Sequence, residues 1–130
     1  MNDTRRRPLL RFIAVGLLNT AVGLATVLIA GQVFGVGAFA ANAIGLATGF
    51  VVGYQVNRLW TFSSTASIAM TAPRYLLAFA IAYALNSAIL AGLLRLSLLP
   101  TIFAQAVALS AYSLAFYLLC RRAVFPASGR

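Results

Sequence analysis

The sequence predicts an all-α integral membrane protein, with four transmembrane helices arranged as two antiparallel hairpins that repeat in parallel and with both termini cytoplasmic. Three observations predict it. Hydrophobic residues make up 62% of the 130-residue chain and charged residues only 8%, a balance outside that of water-soluble domains. The apolar residues fall into four runs of about 20, the length at which a helix crosses about 30 Å of hydrocarbon. The charges gather at the ends of those runs. The runs also lack the alternation of barrel strands, so helices are what can satisfy the backbone in lipid.

The first span is expected near 12–31. The basic stretch before it, Thr4 to Arg11, resembles the start of a signal peptide, but the apolar run from Phe12 is about 20 residues against the usual 7 to 15, so it reads as a retained span. Gly35 and Gly37 punctuate a short connection to a second span near 38–56. That span ends in Asn57-Arg58-Leu59-Trp60-Thr61-Phe62, followed by a polar linker marked by Ser63, Ser64, Ser67, Ala72 and Pro73. A third span is expected near 75–94, a break at Pro100, and a fourth span near 101–120, closed by Cys120-Arg121-Arg122-Ala123-Val124-Phe125. The two short connections make each pair of spans an antiparallel hairpin.

All ten basic residues are arginine, Asp3 is the sole acid, and the net charge is +9. Such a charge suits nucleic acid or an anionic membrane, but its segregation to the ends of apolar runs excludes nucleic acid and favours the membrane. All the arginines but Arg95 fall on one side of the expected topology, which places both termini and the central linker in the cytoplasm. Cys120 is the only cysteine, so a disulfide or thiolate metal cluster within one chain is excluded.

A shift of 63 residues aligns halves 11–62 and 74–125 without a gap, pairing Arg11 with Arg74, Phe12 with Tyr75, Ala41 with Ala104, Asn42 with Gln105, Tyr54 with Tyr117, Arg58 with Arg121 and Phe62 with Phe125. Two spans per half give both halves one orientation, a parallel repeat about the membrane normal. Within the second span Ala41, Gly45, Gly49, Gly53 and Asn57 recur every four residues, forming a narrow ridge on one helix face. Gly45, Gly49 and Gly53 are the expected packing seam, inside the chain or between two copies, because small residues let helices approach closely in lipid.

Asn19 falls about 12 Å along its helix from Arg11, and Asn86 about 18 Å from Arg74, near mid-membrane. An amide in hydrocarbon needs a partner, so each is either interhelical glue or part of a polar path. Gln55, Asn57 and Arg58, with Arg11, Arg74 and Arg121, share a level at the cytoplasmic interface. Guanidiniums with no carboxylate nearby favour a bound anion such as a phosphate; arginines at helix ends also snorkel to headgroups and set topology, so both readings stand. Trp60 and Tyr54 fit an interfacial aromatic belt or a platform for a sugar. Between Arg11 and Arg121 there is no Asp, Glu, His or Lys. The spans therefore carry no proton-coupling group, no general acid or base, no metal ligands and no sign of a cofactor, which argues against an enzyme and against a proton antiporter.

These residues resemble the GtrA-like family of small four-span bacterial membrane proteins over about residues 11 to 125. The resemblance rests on Arg11-Phe12, Val15-Gly16 and Asn19-Thr20, on the Asn-Arg-x-Trp-Thr-Phe element from Asn57 to Phe62, and on Arg74-Tyr75 and Arg121 to Phe125. It implies a flippase of the bacterial cytoplasmic membrane that moves a polyprenyl-phosphate-linked sugar outward for cell-surface polysaccharide synthesis or glycosylation, serving a partner glycosyltransferase. Arg58, Asn57, Arg11, Arg74, Arg121, Gln55 and Asn19 would then hold the lipid phosphate and its path, and Trp60 the sugar. Cys120 in the place of Asn57 and Ala123 in that of Trp60 make the halves unequal and put the main site in the first. Four short helices offer little room for a sugar path, which points to a homodimer with the glycine ridge as one candidate seam. A non-transporting adaptor for a glycosyltransferase is the competing reading, and a small-molecule exporter a third.

Overall fold

Long stretches of alanine, leucine, isoleucine, valine and phenylalanine fold into four helices in the computed structural model, which describes residues 3–127 and, of residues 3–6 and Phe39, the backbone alone. They are α1 (Asp3–Gln32), α2 (Ala38–Val56), α3 (Ile68–Arg95) and α4 (Thr101–Leu119). No strand occurs among the described residues. Among the described residues three stretches, Arg7–Gln32, Ile68–Arg95 and Thr101–Val124, are long and apolar enough to cross a membrane. Their outer surfaces are greasy: Leu17 and Leu24 on α1 and Leu76 and Leu77 on α3 are all more than half exposed, as expected of a face that meets lipid. The side chains of Arg5 and Arg6 and the whole of Arg130, which entered the topology count, lie outside the described residues.

The chain divides into two compact units, residues 1–63 and 64–130. In the first, α1 and α2 form an antiparallel hairpin. Its seam is the glycine ridge: a side-chain carbon on Gly45 would lie 2.8 Å from the Gly23 carbonyl oxygen and also run into Val27, and one on Gly49 would lie 3.3 Å from the Asn19 carbonyl oxygen. The backbones thus approach as closely as the absence of side chains permits, which is how helices gain dispersion energy in lipid. Ala41, at the ridge's start, is buried, and so is Asn57 at its end.

In the second unit α3 and α4 form the same kind of hairpin with different filling. Ala104 and Ala108, 63 residues after Ala41 and Gly45, are fully buried, but the places of Gly49 and Gly53 hold Tyr112 and Phe116. Ala82 on α3, at the place of Asn19, is fully buried. Phe116 lies 5.0 Å from Tyr75 and 6.2 Å from Phe79, centroid to centroid. One seam is therefore an amide over glycines, while the other holds a cluster of aromatic rings.

The polar linker is shorter than the sequence suggests, because α3 begins at Ile68 and takes in Ala72 and Pro73. The Ser67 carbonyl accepts the Thr71 amide at 3.1 Å and the Thr71 hydroxyl at 2.9 Å, which starts the helix before the proline. Pro73 then withholds one amide close to the N-terminus, where the loss is smaller than in mid-helix. At its other end α3 closes with Ser97 at φ 50°: the Leu98 amide returns to the Leu93 carbonyl at 3.2 Å and the Ser97 amide to the Leu94 carbonyl at 3.1 Å, the pairing of a left-handed helix cap. The first connection turns at Gly35, φ 64°.

Candidate functional site

Both hairpins end in the same unusual way. After α2 the chain widens into a π-helical turn over Asn57–Thr61, and after α4 into another over Cys120–Val124. Each is closed by a bond from residue i+5: the Phe62 amide donates to the Asn57 carbonyl at 2.9 Å, and the Phe125 amide to the Cys120 carbonyl at 2.7 Å. Wider turns of this kind cluster at functional positions in helices. They also leave carbonyls at a helix C-terminus, where no further amide follows to satisfy them.

A guanidinium from the neighbouring helix takes up one such carbonyl in each unit. In the first, Arg11 Nη1 donates to the Trp60 carbonyl at 3.1 Å, and Arg11 Cζ lies 5.4 Å from the centroid of the Trp60 ring. In the second, Arg74 Nη1 donates to the Ala123 carbonyl at 3.5 Å. Both contacts span 49 residues of sequence. A cation at this end complements the negative pole of the helix dipole, and the indole face adds a cation–π attraction that Ala123 lacks.

The remaining residues singled out from the sequence take distinct positions. Asn57 is 3% exposed, and its Oδ1 accepts a hydrogen bond from the Thr61 hydroxyl at 2.9 Å; the amide braces the π turn from inside the first unit. Arg58 is half-buried, Gln55 is exposed, and Trp60 is 46% exposed beside Arg11. Tyr54 is buried. Phe12 and Phe62 meet edge-on at 6.3 Å, and in the second unit Tyr75 and Phe125 meet at 6.1 Å in a tilted arrangement. Arg74 and Arg121 are exposed in the second unit. The first unit thus brings together Arg11, Trp60, Asn57 and Thr61 at the end of α2.

Deeper along the same seam, Asn19 lies over Gly49 and Gly53, with Nδ2 2.5 Å from where a side-chain carbon on Gly53 would sit. Its Oδ1 is buried and accepts no hydrogen bond from a described residue. An orphaned acceptor of this kind costs about 1–3 kcal/mol. The seam therefore holds a polar atom with unused capacity in an otherwise apolar stretch of helix.

Sequence reasoning passed over two features. Thr61 was visible only as part of a motif, although a threonine four residues after a buried amide is within reach of it on a helix. Ala123 registered as a departure from the repeat, while its consequence is a groove of about 250 Å³ lined by Arg74, Leu77, Ala78, Ile81, Leu119 and Ala123. The available signal was an arginine retained at 74 while its aromatic mate was lost.

Comparison with protein families matches residues 11–125 to GtrA/DPMS, transmembrane domain. No curated protein and no solved structure matches the chain.

Proposed function

We propose, for a chain that belongs to the GtrA/DPMS transmembrane-domain family, that its work is to move a polyprenyl-phosphate-linked sugar across the bacterial cytoplasmic membrane. It is a multi-pass membrane protein of polysaccharide or glycolipid synthesis, from a family whose members are generally non-catalytic. The observation that carries the finer reading is the Arg11–Trp60 pair. Arg11 uses one of its five donors on the Trp60 carbonyl, which fixes the guanidinium in place and leaves the others for a phosphate, while the half-exposed indole offers a sugar a stacking face. Arg58, in the same π turn as Trp60, adds a second cation.

The headgroup would then travel along the α1–α2 seam, where Asn19 Oδ1 is the acceptor with unused capacity, and the isoprenoid chain would remain in lipid. With no titratable acid, histidine or lysine in the spans, the movement runs down the lipid's own gradient, drawn by a glycosyltransferase that consumes the sugar on the far side. A second copy of the chain would widen the path.

Reconstitution tests this directly. Purified protein in vesicles carrying a labelled polyprenyl-phosphate sugar in one leaflet is expected to equilibrate the label between leaflets, at a rate that falls with Arg11→Gln. Label that stays in its original leaflet, while the protein still binds a glycosyltransferase, would establish the adaptor reading instead.

A further inference from the structure

The groove beside Arg74 includes Ala123, the residue that the repeat places where the first unit has Trp60. Counting back 63 residues, Ala123 corresponds to Trp60, Leu119 to Val56, Ile81 to Leu18 and Arg74 to Arg11. In the first unit the indole lies against the guanidinium. In the second, alanine leaves an apolar slot of about 250 Å³, with Arg74 the one polar side chain in its lining. An apolar cavity of about 150 Å³ already accepts a molecule the size of benzene, so this one has room for a length of hydrocarbon.

Two further facts select the occupant. Arg74 and Arg95 are 21 residues apart on α3, about 31 Å along a helix, so the pair brackets one hydrocarbon thickness and Arg74 lies at the headgroup boundary. The chain's sole acid is Asp3, and the contact Arg74 makes is a long bond to a neutral carbonyl, so its charge calls for an external anion. We propose that the groove seats an acyl chain of an anionic membrane glycerophospholipid, with the lipid phosphate on Arg74. The seat does not depend on the sugar-lipid movement proposed above.

Native mass spectrometry of the protein released from nanodiscs of equal phosphatidylglycerol and phosphatidylcholine tests it. The wild type is expected to retain phosphatidylglycerol roughly tenfold over phosphatidylcholine, the factor that one charge-assisted hydrogen bond supplies. Arg74→Gln is expected to bring the two near parity, and Ala123→Trp to abolish retention with circular dichroism unchanged. Should Ala123→Trp fail to fold, phosphatidylglycerol with a photoreactive acyl chain gives the same answer on the wild type, by labelling Leu77, Ile81 and Leu119 in excess of the equally greasy, exposed Leu17 and Leu24. Equal retention of phosphatidylcholine, retention by a folded Ala123→Trp, uniform labelling, or displacement of the phospholipid by an equimolar polyprenyl phosphate would each overturn the proposal.

Discussion

Asn19 and Gly53 compete for one volume: a single carbon added to Gly53 would lie 2.5 Å from Asn19 Nδ2 and 2.9 Å from its Cγ. The amide on α1 and the missing side chain on α2 are therefore two halves of one packing decision. In the second hairpin the repeat-equivalent positions are filled the other way, with a small Ala82 for Asn19 and the large Tyr112 and Phe116 for Gly49 and Gly53.

Gly53→Ala is accordingly expected to destabilise the first hairpin by about 1–3 kcal/mol through overpacking. Gly92→Ala serves as the control, because nothing lies within 4 Å of the carbon it would add, and it should be neutral or gain up to about 1 kcal/mol. Adding Asn19→Ala to Gly53→Ala should restore part of the loss. Thermal unfolding in micelles measures all three; strict additivity in the double variant would refute the shared volume.

The Arg11 clasp has a built-in reporter, since Trp60 is the only tryptophan. Arg11→Gln is expected to shift the emission of Trp60 and to lower stability by about 1–2 kcal/mol, reduced from the value of a fully buried charged bond by the exposure of the site. Trp60→Phe keeps the carbonyl that Arg11 holds and should lose only about 0.5–1 kcal/mol. An emission spectrum indifferent to Arg11→Gln would mean that the guanidinium does not rest on the indole.

Asn19→Leu keeps a branched side chain over the glycines but removes the orphaned acceptor. Stability is expected to stay within about 1 kcal/mol of wild type, since the relief of an unsatisfied polar atom offsets the added bulk, while the rate of leaflet exchange falls. If exchange in vesicles survives at the wild-type rate, Asn19 is packing and not path.

Arg58→Lys keeps the charge and removes the planar fork that grips a phosphate through two bonds. Transport of the labelled sugar lipid is expected to fall at least about tenfold, the cost of one charge-assisted bond. Wild-type complementation of polysaccharide assembly by this variant would remove Arg58 from the site.

Much of the architecture was legible before any coordinates. The seam of Gly45, Gly49 and Gly53 stands out because a spacing of four puts residues on one helix face, and Arg11 and Arg74 stand out because they occupy equivalent places in a repeat. The start of α3 was not legible: Pro73 marks a break by its chemistry, and the helix passes through it because Thr71 and Ser67 close the first turn upstream. Nor was the use of the arginines. A carbonyl left over by a π turn is invisible in a list of side chains, and Trp60 and Ala123 look unlike while their backbones accept the same bond.

By itself the sequence determined that this chain is all-helical, that its helices are greasy on the outside, and which face of the second one is narrow enough for close contact. These follow from composition and from the 3.6-residue period, which act along a single helix. The tertiary structure decided that α1 covers that ridge within one hairpin, that Arg11 and Arg74 each cap a helix 49 residues away, and that an alanine at 123 opens a groove. Those outcomes depend on distances across a closed hairpin, where a carbonyl, a guanidinium or an empty volume has meaning only once the opposite helix is in place.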